Sequence, residues 1–269
     1  MNSMIDKVLR RLRGQQQLPP APTQPNTTYV EAGNQWYYPS IAGASSYLPD
    51  VTGAAPVRSA AEILEKLSSD SYLEFVKSFY RAGLETFGDN WVYADINTVL
   101  IGLVRRMSIT NYLEIGVRRG RSMAMVALNA PSCRIVGFDL WIADYAGMEN
   151  PGPDYVRAEL KRLGYQGELD LVAGDSRETV PQWFASHPGE FFDLITVDGD
   201  HSTEGARTDL ENVLPRLKVG GALVFDDISN QSHANLAGVW RAFLERHPNL
   251  SGYSFTEVGF GVGFAIRSR

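Results

Sequence analysis

The sequence predicts an α/β protein: one seven-stranded sheet, five strands parallel plus a C-terminal hairpin, helices on both faces, and an N-terminal helical or lid extension. Three observations point there. From residue 111 onward, short β-branched or apolar runs alternate with amphipathic helical patterns, which implies right-handed crossovers between parallel strands covered on both faces. Successive strand ends carry glycine or acidic residues, and an α/β sheet binds ligands outside the carboxyl ends of its strands. The alternation breaks at 253–267, YSFTEVGFGVGFAIR, which reads as two strands joined by a tight glycine-containing turn.

Taken in order, residues 4–13 place Met4, Ile5, Val8, Leu9 and Leu12 at helical spacing among basic residues. This suits a helix that docks on a partner, a second copy or a membrane surface. Residues 15–28 are polar and proline-rich, hence a linker. Residues 29–57 carry Tyr29, Trp36, Tyr37, Tyr38 and Tyr47 among glycines and prolines, too aromatic for a free linker, and read as a lid laid over the domain. Ser59-x-x-Glu62 and Ser71-x-x-Glu74 are capping-box patterns predicting helices over 60–68 and 72–87, and a third helix is expected over 94–107. The division is therefore 1–28, 29–93 and 94–269. Within the last, strands are expected in NYLEIG, RIVGFDL, ELDLVAG, FFDLITVDG and GALVFDDI, and helices between them.

Composition excludes several classes. The chain has 269 residues and a net charge of −6, without the basic face of a nucleic-acid binder. Its one cysteine, Cys133, forms no intrachain disulfide and fits a reducing compartment. No run approaches the roughly 20 apolar residues of a membrane span, and no apolar leader is visible, so a cytoplasmic protein is expected.

The first strand ends in Glu114-Ile-Gly116, followed by Gly120 and Ser122. The spacing lacks the third glycine of a dinucleotide fingerprint, and Glu114 would repel a pyrophosphate while suiting a cationic or amino-bearing ligand. Asp139 ends the second strand, where an acid can accept both ribose hydroxyls. Asp175 and Ser176 follow the third and can line an adenine edge, although Ser176 is also a good helix cap. Together these favour an adenosine pocket.

Asp198 and the pair Asp226-Asp227 stand 28 residues apart, one crossover unit, and so on adjacent strand tips. Three gathered carboxylates need a positive charge, for which a hard divalent cation with oxygen ligands is the economical solution. Capping of the next helix is the plain alternative. His201 lies three residues beyond Asp198, and an imidazole there can take a proton from a substrate hydroxyl. His187, His233 and His247 read as surface or cap residues.

YLEIGVRRGRS, GFDLW, GDS and above all DLITVDGDHSTEGARTDLENVLPRLKVGGALVFDD resemble class I S-adenosylmethionine-dependent methyltransferases, most closely the macrocin O-methyltransferase-like group of metal-dependent sugar O-methyltransferases from bacterial natural-product pathways. The resemblance covers about residues 95–267. It is specific at Asp198–His201 and Asp226-Asp227, generic in the glycine loop, and absent by motif from the first 60 residues. It implies a Rossmann-like sheet and a cofactor pocket of Glu114, Gly116, Gly120, Ser122, Asp139, Asp175, Ser176 and Asp198. It assigns Asp198, Asp226 and Asp227 to Mg²⁺, as in the similar acid triplet of catechol O-methyltransferases. His201, with Asp200 as the other candidate, becomes the base.

The implied acceptor is a small hydroxylated molecule, a sugar, a glycosylated product or a catechol-like ring, and the N-terminal helix and arm suggest a symmetric homo-oligomer. Competing readings are a metal-dependent relative with other chemistry (cephalosporin hydroxylase-like), an NAD-dependent dehydrogenase, and a cofactor-binding partner subunit whose acids are structural.

Overall fold

The computed structural model describes residues 42–145 and 147–269. The expected N-terminal helix and linker, and Tyr29, Trp36, Tyr37 and Tyr38 of the arm, lie outside those residues. A short helix, α1 (Leu48–Thr52), follows a turn of 3-10 helix at Ala44–Tyr47. Tyr47 is buried in the core there.

Among the described residues three longer helices then precede the sheet: α2 (Ala54–Leu64), α3 (Ser71–Phe87) and α4 (Ile96–Arg106). α2 starts six residues before the predicted 60–68, so Ser59 lies inside it and is no cap. Pro56 falls in its first turn, where a missing N–H costs nothing. α3 is capped by Asp70, whose carboxylate accepts from the Leu73 amide at 2.6 Å, rather than by Ser71. α4 opens on a reciprocal box between Asp95 and Thr98.

The sheet strands are β1 (Asn111–Ile115), β2 (Arg134–Asp139), β3 (Leu169–Ala173), β4 (Phe192–Val197), β5 (Leu217–Asp226), β6 (Leu250–Phe255) and β7 (Val262–Arg267), in the order β3-β2-β1-β4-β5-β7-β6. The first five pair in parallel, and β7 enters antiparallel between β5 and β6. The connecting helices are α5 (Arg121–Asn129), α6 (Pro153–Arg162), α7 (Ser176–Ser186), α8 (Thr203–Val213) and α9 (Leu236–Arg246). The hairpin turn is not tight. Residues 256–261 form a six-residue loop in which Gly259 and Gly261 both take φ +76°, and the Phe260 carbonyl accepts from the Ser229 amide at 2.7 Å. The turn is thereby drawn toward the tip of β5.

Alternate strand residues feed two cores. Tyr112, Leu194, Ala222, Val224, Phe264 and Ile266 face α2 to α6. Leu113, Ile115, Ile195, Leu223, Phe225 and Ala265 face α7 to α9. The pre-sheet helices therefore complete the core on one face. An aromatic stack fastens them: Trp91 lies 4.7 Å from Tyr93, and Tyr93 meets Phe255 of β6 edge-on at 6.0 Å. Cys133 is buried and unbridged. No helix among the described residues is long and apolar enough to cross a membrane.

Candidate active site

Parallel pairing puts the carboxyl ends of β1 to β5 on one edge, and their loops surround a cleft of about 670 Å³. Of the residues expected to bind there, Gly116, Ser122, Asp139, Asp175, Ser176, Asp198, Asp200, His201, Asp226 and Asp227 line it; Glu114 and Gly120 do not.

Gly116 has a steric reason. Its φ is +90°, and a Cβ would stand 1.9 Å from the Asp198 carbonyl oxygen. The glycine lets β1 and β4 end in contact, which brings the two halves of the cleft together. Asp139 pins the adjoining loops: its carboxylate accepts from the Arg118 amide at 2.7 Å, the Trp141 amide at 2.6 Å and the Asn150 side chain at 3.2 Å. Asp175, not Ser176, is the N-cap of α7, and its carboxylate also holds the Arg177 guanidinium. Ser176 opens the helix with its side chain on the wall.

Glu114 departs from expectation. Its carboxyl lies below the cleft floor, fully buried, taking hydrogen bonds from Tyr112 at 2.5 Å and Ser122 at 2.7 Å. Burial outweighs both bonds and pushes its pKa up to about 8, so the group is largely neutral at pH 7. Its contact with the cleft runs through the Ser122 hydroxyl.

At the other end β4 and β5, adjacent in the sheet, present Asp198, Asp226 and Asp227 as their spacing predicts. Burial, then the charges of Asp198 and Asp227, holds the Asp226 carboxyl well above its ordinary range. Asp227 is pushed up to about 6 by burial and by Asp198. It also adopts φ +63°, a left-handed backbone uncommon outside glycine. Among the described residues no lysine or arginine forms an ion pair with the three, and Arg121 acts on them only through space.

His201 Nε2 sits 3.4 Å from Asp198 Oδ1 and 3.8 Å from Asp227 Oδ2. Burial opposes its protonation, but the hydrogen bond and charge of Asp198, with Asp227 and Asp200, raise its pKa overall. Its Nδ1 is buried without a partner. Asp200 accepts from the Ser202 amide at 2.8 Å and holds the entry to α8.

His233 was expected on the surface, yet its ring packs 4.2 Å from that of His201 and lines the cleft, because the 3-10 turn Gln231–His233 folds back after β5. His187 and His247 are helix C-caps, as expected. Among the described residues, ligand atoms that all lie within 4.8 Å of one another belong to His201, Asp227 and His233. The Asp198–Asp226–Asp227 triplet is spread more widely around the same corner. The gathered carboxylates, none of them ion-paired to a lysine or arginine among the described residues, fit a bound divalent cation.

Sequence reasoning missed other wall residues: Tyr72, Arg118, Arg121, Leu140 and Phe260. Leu140, Ile142 and Phe260 remain 56%, 47% and 42% exposed, an apolar rim drawn from the segment after β2 and the hairpin loop between β6 and β7.

Residues 113–228, which include the cofactor-side strands and the β4–β5 acids, match the family model described as a methyltransferase domain. With the 3-2-1-4-5-7-6 sheet order, that match decides the class. Residues 113–228 are a methyltransferase domain, carried on the class I S-adenosylmethionine-dependent fold. The dehydrogenase and structural-subunit readings fall.

Among curated proteins the methyltransferase is 28% identical to Tapetum-specific methyltransferase 1 of Arabidopsis thaliana over 169 residues, 61% of this chain and 68% of that one. Solved structures share its fold. The O-methyltransferase NovP aligns with a TM-score of 0.54 at 17% identity, over 84% of this chain and 99% of that chain. The O-methyltransferase from Bacillus cereus, in complex with S-adenosylhomocysteine, gives 0.53 at 22%, over 80% and 97%. TomG from Streptomyces achromogenes, in complex with S-adenosylmethionine, gives 0.51 at 22%, over 76% and 92%.

Proposed function

We propose that this methyltransferase moves the methyl group of S-adenosylmethionine to a hydroxyl of a sugar or glycosylated small molecule, in a reaction that requires Mg²⁺ or a similar divalent cation. One observation carries the reading: three carboxylates and a histidine converge, with no lysine or arginine ion-paired to the acids among the described residues, where the fold brings the strand tips β4 and β5 together. The macrocin-like resemblance of the sequence points the same way. The description of TomG as an O-methyltransferase involved in tomaymycin synthesis supports the O-methyl transfer alone.

Asp198, Asp226 and Asp227 would hold the cation, with His233 beside them. A bound cation supplies charge stabilisation for a developing alkoxide, and vicinal hydroxyls suit chelation. His201 accepts the hydroxyl proton, oriented through Nε2 by Asp198 and Asp227. Asp200, tied to the Ser202 amide, is the lesser candidate for this step. Asp139 would receive the ribose, and Gly116, Ser122, Asp175 and Ser176 the rest of the cofactor. The donor supplies an electrophilic sulfonium methyl, and the remaining task of the protein is alignment, worth roughly 7–11 kcal/mol in well-oriented systems. The rim of Leu140, Ile142 and Phe260 excludes water when acceptor covers it.

The test is methyl transfer from labelled S-adenosylmethionine to nucleotide-sugar, glycoside and catechol acceptors, in EDTA and in added Mg²⁺. Transfer to a sugar hydroxyl that disappears in EDTA is expected. Equal rates in both would refute the cation step, and methylation of the catechol alone would refute the sugar acceptor.

A further inference from the structure

Four arginines line the cleft of a chain whose net charge is −6: Arg118, Arg119, Arg121 and Arg177. Two are neutralised locally. Arg177 grips Asp175 at 2.5 Å, and Arg119 lies 3.2 Å from Asp70 and 2.7 Å from Glu149. The other two are held less closely. Arg118 reaches Asp70 only at 3.6 Å, and its Nε and Nη2 are buried without a hydrogen-bond partner. Arg121 has no carboxylate within ion-pair distance among the described residues, and its Nε is likewise buried and unpartnered. Both guanidinium groups pack on the Tyr72 ring, 5.2 and 4.9 Å from its centroid.

A buried donor without an acceptor is destabilising, so open donors in a ligand cleft are donors that a ligand completes. The guanidinium fork matches planar carboxylate and phosphate oxygens, and the tyrosine ring holds both forks in place. We propose that Arg118, Arg121 and Tyr72 form an oxyanion subsite of the cleft, which takes a carboxylate or phosphate group of a bound ligand. Asp226 and Asp198 lie within electrostatic reach of Arg121, so the subsite borders the reaction centre and a ligand there spans from anion to reacting hydroxyl. Two molecules can supply the oxyanion: the methyl donor through its α-carboxylate, or an acceptor carrying a carboxylate or phosphate. The acceptor arm rests on the function proposed above.

Calorimetric titration of the full chain separates the sources. S-adenosylhomocysteine is compared with 5′-methylthioadenosine, which lacks the amino-acid tail, and with pyrophosphate. Wild type is set beside Arg121→Gln and the less buried Arg118→Gln, each checked for an unchanged Tm. Loss of roughly 10- to 100-fold in affinity for S-adenosylhomocysteine, with methylthioadenosine unchanged, places the donor's carboxylate in the subsite. An equal loss for pyrophosphate alone places the acceptor's anion there. Affinities within twofold of wild type for all three probes, in folded variants, overturn the proposal. No turnover enters these titrations, so their failure leaves metal-dependent methyl transfer standing, and failure of methyl transfer leaves them readable.

Discussion

Raising the pH from 5 to 8.5 should destabilise the wild-type methyltransferase relative to its Glu114→Gln variant. Glu114 has no exposed surface, and burial lifts its pKa from the ordinary 4.5 to about 8. The folded state therefore holds a proton that the unfolded state has released across that interval. An acid raised on folding contributes fully below its unfolded pKa and loses that contribution as pH climbs through the folded value. The interval corresponds to roughly 5 kcal/mol between pH 4.5 and 8, on the order of a third to all of the stability of an ordinary domain.

Glutamine keeps the shape, stays neutral, and can still accept from Tyr112 or Ser122. The variant should thus lose little at pH 5 and overtake wild type by several kcal/mol at pH 8. Urea denaturation of both proteins at half-unit steps of pH, in the absence of cofactor, measures the difference directly. A wild-type-minus-variant difference that stays flat from pH 5 to 8.5 would show that Glu114 is charged in the fold, and the account of the cleft floor would be wrong.

Asp209 makes a related case: it is fully buried, the neighbouring Ser176 hydroxyl offers it at most a weak contact, and burial pushes its pKa up to about 6. Asp209→Asn should be more stable than wild type at pH 7.5 by up to roughly 3 kcal/mol, with the gain shrinking toward pH 4 in the same urea series. Gly116→Ala forces a Cβ against the Asp198 carbonyl at a backbone angle of +90°. A loss of at least about 2 kcal/mol by denaturation, together with weakened S-adenosylhomocysteine binding, is expected; an unperturbed variant would disprove the contact. Asp198→Ala should lower kcat roughly a thousandfold or more while leaving S-adenosylhomocysteine affinity within a few-fold, by calorimetry. Comparable losses in both would move Asp198 from the reaction centre to the cofactor.

Much of this molecule is local chemistry written along the chain. Continuous apolar runs such as LITV and ALVF can only be strands covered twice, and their alternation with amphipathic stretches sets parallel pairing and handedness. Glycine at 116 and acids at 139, 198, 226 and 227 fall at strand ends, so their gathering on one edge follows from topology alone. Helix starts were less legible. Ser59 carries a capping pattern but lies within α2, the cap Asp70 precedes the expected Ser71, and Asp95 caps a helix that starts two residues after the expected position. Several short polar residues within one turn can each serve as the cap, and tertiary packing selects among them.

What the chain alone determined is the set of strands, their parallel pairing and the carboxylates at their tips, because residue period and strand ends are one-dimensional properties. Only the tertiary structure decided that the Glu114 carboxyl lies beneath the cleft rather than in it, that His233 joins His201, and that Arg118 and Arg121 share the face of Tyr72. Each of those depends on side chains from elements distant in sequence meeting in a particular orientation, and no local pattern encodes the direction in which a buried side chain points.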